Sequence, residues 1–372
     1  MTALFVLVLF TYFIFMLALM MGWKRALAIP LPDLESIRFI SVIIPFRNEE
    51  SGMEKLIRSL KEIQYPKDHF EIIFVNDHSA DNSLSELKKL ISDSANFLVL
   101  ESEGEGKKMA LTTGINNAKG EIIVTVDADC LVPEGLLALI NQAFQEERIQ
   151  MTFGGVVLTA GSSLFSKWQS IEFISLIGSA VATLGWGVFT MCNGANLAFR
   201  KSAFYYVGGY QGNESIPSGD DEFLARKILK RFPGSMRFIN SKSAVVQTVP
   251  ASTLGQFIDQ RLRWAGKWRY NESISTRWLA IFVVIVQISY LAMMVGLIMG
   301  SIDLKLGISL AGIKFLLDSV FLIRVSKFLG ASWSWLACAT MQFVYPFYVL
   351  GIGMSSLRSG YEWKGRRLSH KM

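Results

Sequence analysis

The chain has 372 residues, more than one compact domain ordinarily needs, so it holds a soluble domain and something besides. Hydrophobic residues make up 51% and charged residues 18%, with the apolar excess gathered in blocks at the two ends. That excludes an ordinary soluble globular protein and points to membrane spans. The net charge of +6 does not mark a nucleic-acid partner, because the basic residues gather beside apolar segments: Lys24 and Arg25, then Arg358, Lys364, Arg366, Arg367 and Lys371. This is the pattern of juxtamembrane anchors facing anionic membrane lipid.

Ala3 to Gly22 is an uncharged run long enough to cross about 30 Å of hydrocarbon as a helix. It lacks the basic start and small-residue cleavage site of a signal peptide, and Lys24 and Arg25 follow it, so residues 1–24 are expected to be an anchor running from outside to inside. Pro30 and Pro32 mark a linker. From Arg38 short β-rich runs alternate with amphipathic helices. Phe39 to Pro45, Glu71 to Val75, Phe97 to Leu100 and Gly120 to Val126 read as strands. Met53 to Ile63, Leu84 to Ile91 and Met109 to Ala118 read as the helices between them. Near-continuous apolar strands alternating with helices predict an α/β, Rossmann-like domain with a mostly parallel sheet, which binds ligands at the carboxyl ends of its strands.

Those ends carry Arg47-Asn48-Glu49-Glu50, Asn76-Asp77-His78-Ser79 and Asp127-Ala128-Asp129. Two carboxylates separated by one residue at a strand end suit one Mg²⁺ or Mn²⁺, which keeps positions open for phosphate oxygens. Glu105-Gly106-Lys107-Lys108 opens a helix and offers free amides and a cation to phosphate, without P-loop spacing. Asp220-Asp221-Glu222 opens the helix to Lys230; crowding of three carboxylates suits a general base, and an acidic first helical turn is the structural alternative. Gln260, Arg263 and Trp264 fall at i, i+3 and i+4 on one helical face, fit for a phosphate and a sugar ring or for a basic-aromatic membrane anchor. Leu164 to Met191 is apolar but interrupted by Lys167 and Glu172, and reads as an amphipathic element rather than a span. Cys130, Cys192 and Cys338 form no CxxC pair, which argues against a disulfide framework or a zinc site.

Trp278 to Gly300 and Trp335 to Leu357 read as spans, whereas Leu304 to Val325 carries Lys305, Lys314, Asp318 and Arg324 and is expected to cross incompletely. The expected division is therefore 1–24 anchor, 38–272 cytoplasmic transferase domain, 277–357 membrane region and 358–372 basic cytoplasmic tail. A cytoplasmic tail needs an even number of crossings after the domain.

Taken together, the motifs resemble glycosyltransferase family 2, in its membrane-integrated branch with the A-type fold, shared by cellulose, chitin and hyaluronan synthases and ceramide glucosyltransferase. The resemblance runs in order from about Ile40 to Trp264 through Asn48-Glu49, Asn76-Asp77, Gly106-Lys107, Asp127-Ala128-Asp129, Asn193-Gly194-Ala195-Asn196, Gly208-Gly209-Tyr210, Asp220-Asp221 and Gln260 to Trp264. It implies that Glu49 and Asp77 hold the nucleoside, Lys107 assists at the nucleoside or diphosphate, Asp127 sits beside the diphosphate and Asp129 ligates Mg²⁺ or Mn²⁺. Asp221 matches the catalytic base, Gln260 and Arg263 steady the diphosphate, and Trp264, with Asp220, faces the acceptor. Asn76 and His78 stand where many members have Asp and Gly, and Asp220 replaces the commoner Glu, which leaves Glu222 open as the base. The implied activity is an inverting transfer from a nucleotide-sugar donor, a UDP-sugar foremost, at a bacterial inner membrane. A nucleotidyltransferase would open with a Gly-rich, Arg-containing loop in place of Pro45-Phe46-Arg47-Asn48-Glu49. The spans offer few channel-lining groups, Gln287, Ser289, Tyr290, Gln342, Tyr345 and Tyr348, which favours a lipid or lipid-linked glycan acceptor. A processive polysaccharide synthase is the alternative, with an oligomer or accessory subunit completing the pore.

Overall fold

The β-branched runs picked out above form strands because they are apolar on both faces, and the helices between them cover those faces. The computed structural model describes residues 2–159, 161–214, 216, 218–270, 273–356, 361–363 and 366–368. In chain order the strands are β1 (Ile40–Phe46), β2 (Phe70–Asn76), β3 (Phe97–Glu101), β4 (Ile122–Thr125), β5 (Cys130–Leu131), β6 (Met151–Phe153), β7 (Val156–Leu158), β8 (Leu197–Arg200), β9 (Met236–Phe238) and β10 (Val246–Thr248), followed by the short antiparallel pair β11 (Tyr361–Trp363) and β12 (Arg366–Leu368). The helices are α1 (Thr2–Leu27), α2 (Met53–Lys61), α3 (Ser83–Leu90), α4 (Lys107–Asn117), α5 (Leu136–Ala143), α6 (Leu164–Leu184), α7 (Lys201–Tyr206) and α8 (Asp220–Arg231). They continue with α9 (Leu254–Gly266), α10 (Ile274–Ile298), α11 (Leu304–Leu329) and α12 (Trp335–Ser356).

The chain divides into two compact units, one of residues 27–159 and 191–249, the other of residues 1–26, 160–190 and 250–372. The linear division expected from the sequence kept 38–272 together. In the structure, residues 161–190 and 250–270 group with the long apolar helices. The basic segment 358–372 lies largely outside the described residues.

The first unit is built on a seven-stranded sheet in the order β3-β2-β1-β4-β8-β6-β9. β1 pairs in parallel with β2 and β4, so Phe46, Asn76 and Thr125 end at one edge. β8 runs antiparallel to β4, with Leu197 opposite Thr125, which delivers the turn before β8 to that same edge. A smaller sheet, β5-β10-β7, closes beside it. α4 lies on β1 and β2 at close range: a Cβ on Gly114 would stand 2.5 Å from Cγ2 of Ile43 and 3.1 Å from Cγ2 of Val75. A glycine inside a helix is otherwise unfavourable, so this close approach is what it serves.

In the second unit four helices among the described residues are long and apolar enough to cross a membrane: Leu4–Leu27, Ile274–Ile298, Leu304–Leu329 and Trp335–Ser356. Leu304–Leu329, which contains the segment Leu304–Val325, is among them by length and composition. Its Lys314 Nζ donates to Asp318 Oδ2 at 2.8 Å and to Gln342 Oε1 at 2.8 Å, Gln342 Nε2 donates to Asp318 Oδ2 at 2.9 Å, and the Tyr12 hydroxyl donates to Asp318 Oδ1. Two of the four charges that argued against a crossing are thus neutralised inside the bundle, which is how charged groups are accommodated at membrane depth. α6 packs among these helices through small residues: a Cβ on Gly22 would collide with the Ala182 carbonyl, and one on Gly178 would stand 2.7 Å from Val325 Cγ2.

Gly114→Ala should lower the stability of the sheet unit by about 1 kcal/mol despite alanine's higher helix propensity, and Gly114→Val by about 3 kcal/mol, because the added carbons enter a filled core. Thermal unfolding in detergent, followed by circular dichroism, measures the difference.

Candidate functional site

The site lies in the sheet unit, at the edge where β1, β2 and β4 end. After β4, Val126 still donates to Ile43 O at 3.2 Å, and Cys130 N donates to Asp127 O at 3.2 Å, closing a tight turn over Ala128 and Asp129. Asp127 is half-buried and Asp129 exposed. The Lys107 ammonium, at the first turn of α4, lies 2.6 Å from Asp127 Oδ1 and 3.3 Å from Asp220 Oδ2. Burial alone would lower the pKa of Lys107, but the carboxylates of Asp127, Asp220 and Asp221 outweigh it and hold the amine protonated well above its ordinary range.

Gly106 precedes α4 with φ of +96° and its N–H donates to Asp77 Oδ1 at 2.9 Å, tying the Gly-rich loop to the end of β2. Asp77 itself is buried. Glu49 is half-buried, and its N–H donates to Ser83 Oγ at 2.7 Å. Arg47 Nη1 donates to the carbonyls of Asp77 and His78 at 2.7 and 2.6 Å, and Asn48 Oδ1 accepts from Ala80 N at 2.9 Å. Asn48 and His78 both have φ of 53°. Left-handed backbone is uncommon for any residue with a side chain, and asparagine and histidine are among those that adopt it most readily. Asn76 spends its amide on structure, donating to Glu101 Oε2 at 2.8 Å and accepting from Ser79 N at 3.0 Å.

Of the three adjacent acids, Asp220 is buried against Lys107, and Glu222 is buried with Arg226 Nη2 2.7 Å from its Oε1. Asp221 is the half-buried one. Its Oδ2 accepts from Gly194 N at 3.1 Å and its Oδ1 from Glu222 N at 2.7 Å, contacts that fix its orientation. Gly194 is there because β8 runs backwards: its carbonyl accepts from Thr125 Oγ1 at 2.7 Å, and a Cβ on it would lie 3.3 Å from Asp220 Oδ2 and 3.5 Å from Lys107 Nζ.

The structure brings Lys107, Asp127, Asp220 and Asp221 together, with Asp129 in the turn beside Asp127 and Asp77 braced to the loop that carries Lys107. Gln260, Arg263 and Trp264 belong to the other unit, on α9, where each is half-buried. Sequence reasoning passed over Lys108. It is buried, donates from Nζ to the carbonyls of Asn213 and Ile216 at 2.5 and 2.8 Å, and lies 5.1 Å from the Phe223 ring centroid, so it moors the segment leading into α8. Its only signal was adjacency to Lys107. Burial pushes its pKa down to about 8.

No group of three or more His, Cys, Asp or Glu side chains arranged to hold a metal ion occurs among the described residues. The donor set present, exposed Asp129 beside Asp127 in one turn, fits Mg²⁺ or Mn²⁺ of the kind held by one or two carboxylates and completed by phosphate oxygens of a substrate.

Residues 41–208 match the family described as Glycosyl transferase family 2. The probable glycosyltransferase YdaM of Bacillus subtilis (strain 168) is 27% identical over 259 residues, covering 67% of this chain and 59% of the relative. The poly-beta-1,6-N-acetyl-D-glucosamine synthase of Staphylococcus aureus (strain COL) is 29% identical over 265 residues, covering 68% and 60%. The chain thus spans about three fifths of the length of these relatives. Among solved structures, the mannosyltransferase PcManGT from Pyrobaculum calidifontis, in complex with GDP-Man and Mn²⁺, is similar with a TM-score of 0.58 at 20% identity, over 92% of this chain and 99% of that one. At that identity the likeness speaks for the fold, which is the A-type fold expected from the sequence.

The stability carried by Lys108 should depend on pH in a defined window. An unfolded lysine titrates near 10.4, so between about 8 and 10.4 the unfolded chain binds more protons, and stability rises with pH through this group. Lys107, whose pKa is raised, contributes oppositely and only above that window. Unfolding midpoints at pH 7.5 and 10 should therefore differ between wild type and Lys108→Met by an increment equivalent to about 1–3 kcal/mol.

Proposed function

We propose that this chain, which carries a glycosyltransferase family 2 domain, is a membrane-bound inverting glycosyltransferase that takes its sugar from a nucleotide-sugar donor, a UDP-sugar foremost. The observation that carries this reading is the bridge from Lys107 to Asp127 on one side and Asp220 on the other. It joins the acidic turn after β4 to the helix that presents Asp221.

In this reading Asp221, oriented by the N–H groups of Gly194 and Glu222, takes the proton from an acceptor hydroxyl. The acceptor oxygen forms a bond to the anomeric carbon as the bond from that carbon to the diphosphate breaks, its electron pair leaving with the nucleoside diphosphate. A single displacement inverts the configuration. Lys107 supplies fixed positive charge, Asp127 sits beside the diphosphate, and Asp129 would hold a Mg²⁺ or Mn²⁺ ion, which when bound would offset charge on the leaving diphosphate. Glu49 and Asp77 are assigned to the nucleoside, Gln260 and Arg263 to the diphosphate, and Trp264 to the acceptor, assignments that rest on the sequence motifs.

The acceptor proposed is a lipid or lipid-linked glycan. Of the polar side chains available in the spans to line a sugar channel, Gln342 is spent on Lys314 and Asp318, the Tyr348 hydroxyl donates to Glu172 Oε1 at 2.9 Å, and Tyr290 is buried with its ring 5.1 Å from Lys314 Nζ. With those groups engaged, few side chains are left to a hydrated polymer, Gln287 Oε1 being a buried acceptor with no hydrogen-bond partner among the described residues. The polysaccharide synthase among the relatives favours the second reading, processive synthesis. Lys24 and Arg25 support a cytoplasmic sheet unit at a bacterial inner membrane. Among the described residues three helices long and apolar enough to cross follow residue 250, so a cytoplasmic 358–372 segment requires that Leu304–Val325 cross incompletely.

Asp221→Asn should lower kcat by about 10²- to 10⁴-fold with donor affinity unchanged, since a base acts in the transition state. Asp129→Asn should abolish turnover and the response to added Mg²⁺ or Mn²⁺. Nucleoside diphosphate release from a panel of UDP- and GDP-sugars, with membrane lipids as acceptor, measures both. Label in a high-molecular-weight product that only a glycanase degrades would establish the processive reading, and label extracted into organic solvent the lipid one.

A further inference from the structure

Within the motif on α9, the side chain fixed most firmly is none of the three that gave the motif its meaning. Arg261 is 3% exposed, whereas Gln260, Arg263 and Trp264 are each half-buried. Its guanidinium lies between two aromatic rings, 4.4 Å from the centroid of Phe257 and 4.3 Å from that of Trp264. Its Nε donates to Glu172 Oε1 at 3.0 Å and its Nη2 to Glu172 Oε2, a two-point pairing with a carboxylate 4% exposed on α6. Its remaining edge donates from Nη1 to Gln260 Oε1. The Tyr348 hydroxyl of α12, two residues beyond Pro346, completes the shell by donating to Glu172 Oε1. The Trp264 ring also meets Phe173, one residue beyond Glu172, with centroids 6.2 Å apart.

A buried ion pair is an expensive way to hold two helices together, since matched apolar side chains of similar volume do so at least as well. What the arginine adds is direction. One planar group with a forked set of donors orients an amide, a carboxylate and an indole at once, which an apolar contact does not.

We propose that Arg261 is a positioning residue: pinned by Glu172, it fixes the Gln260 amide and the Trp264 ring in the orientation that transfer requires, and through Tyr348 it makes that orientation depend on membrane helix α12. The kinetic part of this proposal rests on the transferase reading above; the structural part does not.

Two readouts on the purified full-length chain separate them. The fluorescence of Trp264, obtained as the difference between each protein and its Trp264→Phe counterpart, reports whether the ring is held. Arg261→Lys keeps the charge but loses the fork, and Glu172→Gln keeps the shape but loses the charge; each should at least double acrylamide quenching of that component. In transfer assays both should lower kcat at least tenfold while the donor KM stays within twofold of wild type. Tyr348→Phe should give a smaller loss, about two- to fivefold. The reversed pair Glu172→Arg with Arg261→Glu restores the ion pair but puts the guanidinium on α6, away from Gln260, so it should recover thermal stability relative to the single reversals without recovering turnover. Unchanged Trp264 quenching in Arg261→Lys, or turnover restored together with stability in the reversed pair, would overturn the proposal. Should the wild type transfer no sugar while the quenching changes appear as expected, the positioning role stands and the transferase reading falls.

Discussion

The sheet unit depends on one ammonium group. Lys107 stands between Asp127 and Asp220, and without it the turn after β4 and the first turn of α8 would confront each other as like charges in a partly buried place. With it, two segments far apart in sequence are fastened across the ends of the parallel strands, and the neighbouring Asp221 is left to be aimed by backbone N–H groups.

The helical unit answers a different constraint. Its helices are apolar enough to face lipid, yet two ionic knots lie within it, Lys314–Asp318 with Gln342 and Tyr12, and Arg261–Glu172 with Tyr348. Away from water an ion pair must have its remaining hydrogen-bonding capacity satisfied, and in both knots the tyrosine hydroxyl and the side-chain amide do this. The knots therefore give a bundle of interchangeable apolar faces a specified arrangement. They also consume polar groups that would otherwise be free to line a path for sugar.

Left-handed backbone at residues other than glycine lies beside the ends of β1 and β2, at Asn48 and His78. His78 adopts a left-handed backbone with no glycine to ease it, and Arg47 holds the conformation by donating to the two carbonyls around it. A single side chain laid across two strand ends is enough to maintain a conformation that costs of the order of 1–2 kcal/mol.

Much of this was legible in the residues themselves. Strands β1 to β4, the helices between them and the apolar helices follow from side-chain periodicity and run length, properties a short window of sequence contains. The acidic turn and Lys107 were legible because their neighbours within a few residues mark them. The reversal of β8, which carries Gly194 to the site, was not, since strand direction is set by pairing partners and not by the strand's own residues. Nor was the distinction among Asp220, Asp221 and Glu222, which are chemically alike until Lys107 and Arg226 claim two of them. Arg261 and Glu172 lie 89 residues apart, and each by itself reads as an ordinary charge beside apolar sequence. Charges at 314 and 318 read as obstacles to a crossing until Gln342 and Tyr12 are brought against them. Local sequence determines what a segment can become, because propensity and hydrophobic pattern act within a few residues. Which charge meets which is decided only when distant segments pack, because burial and pairing are properties of the folded whole.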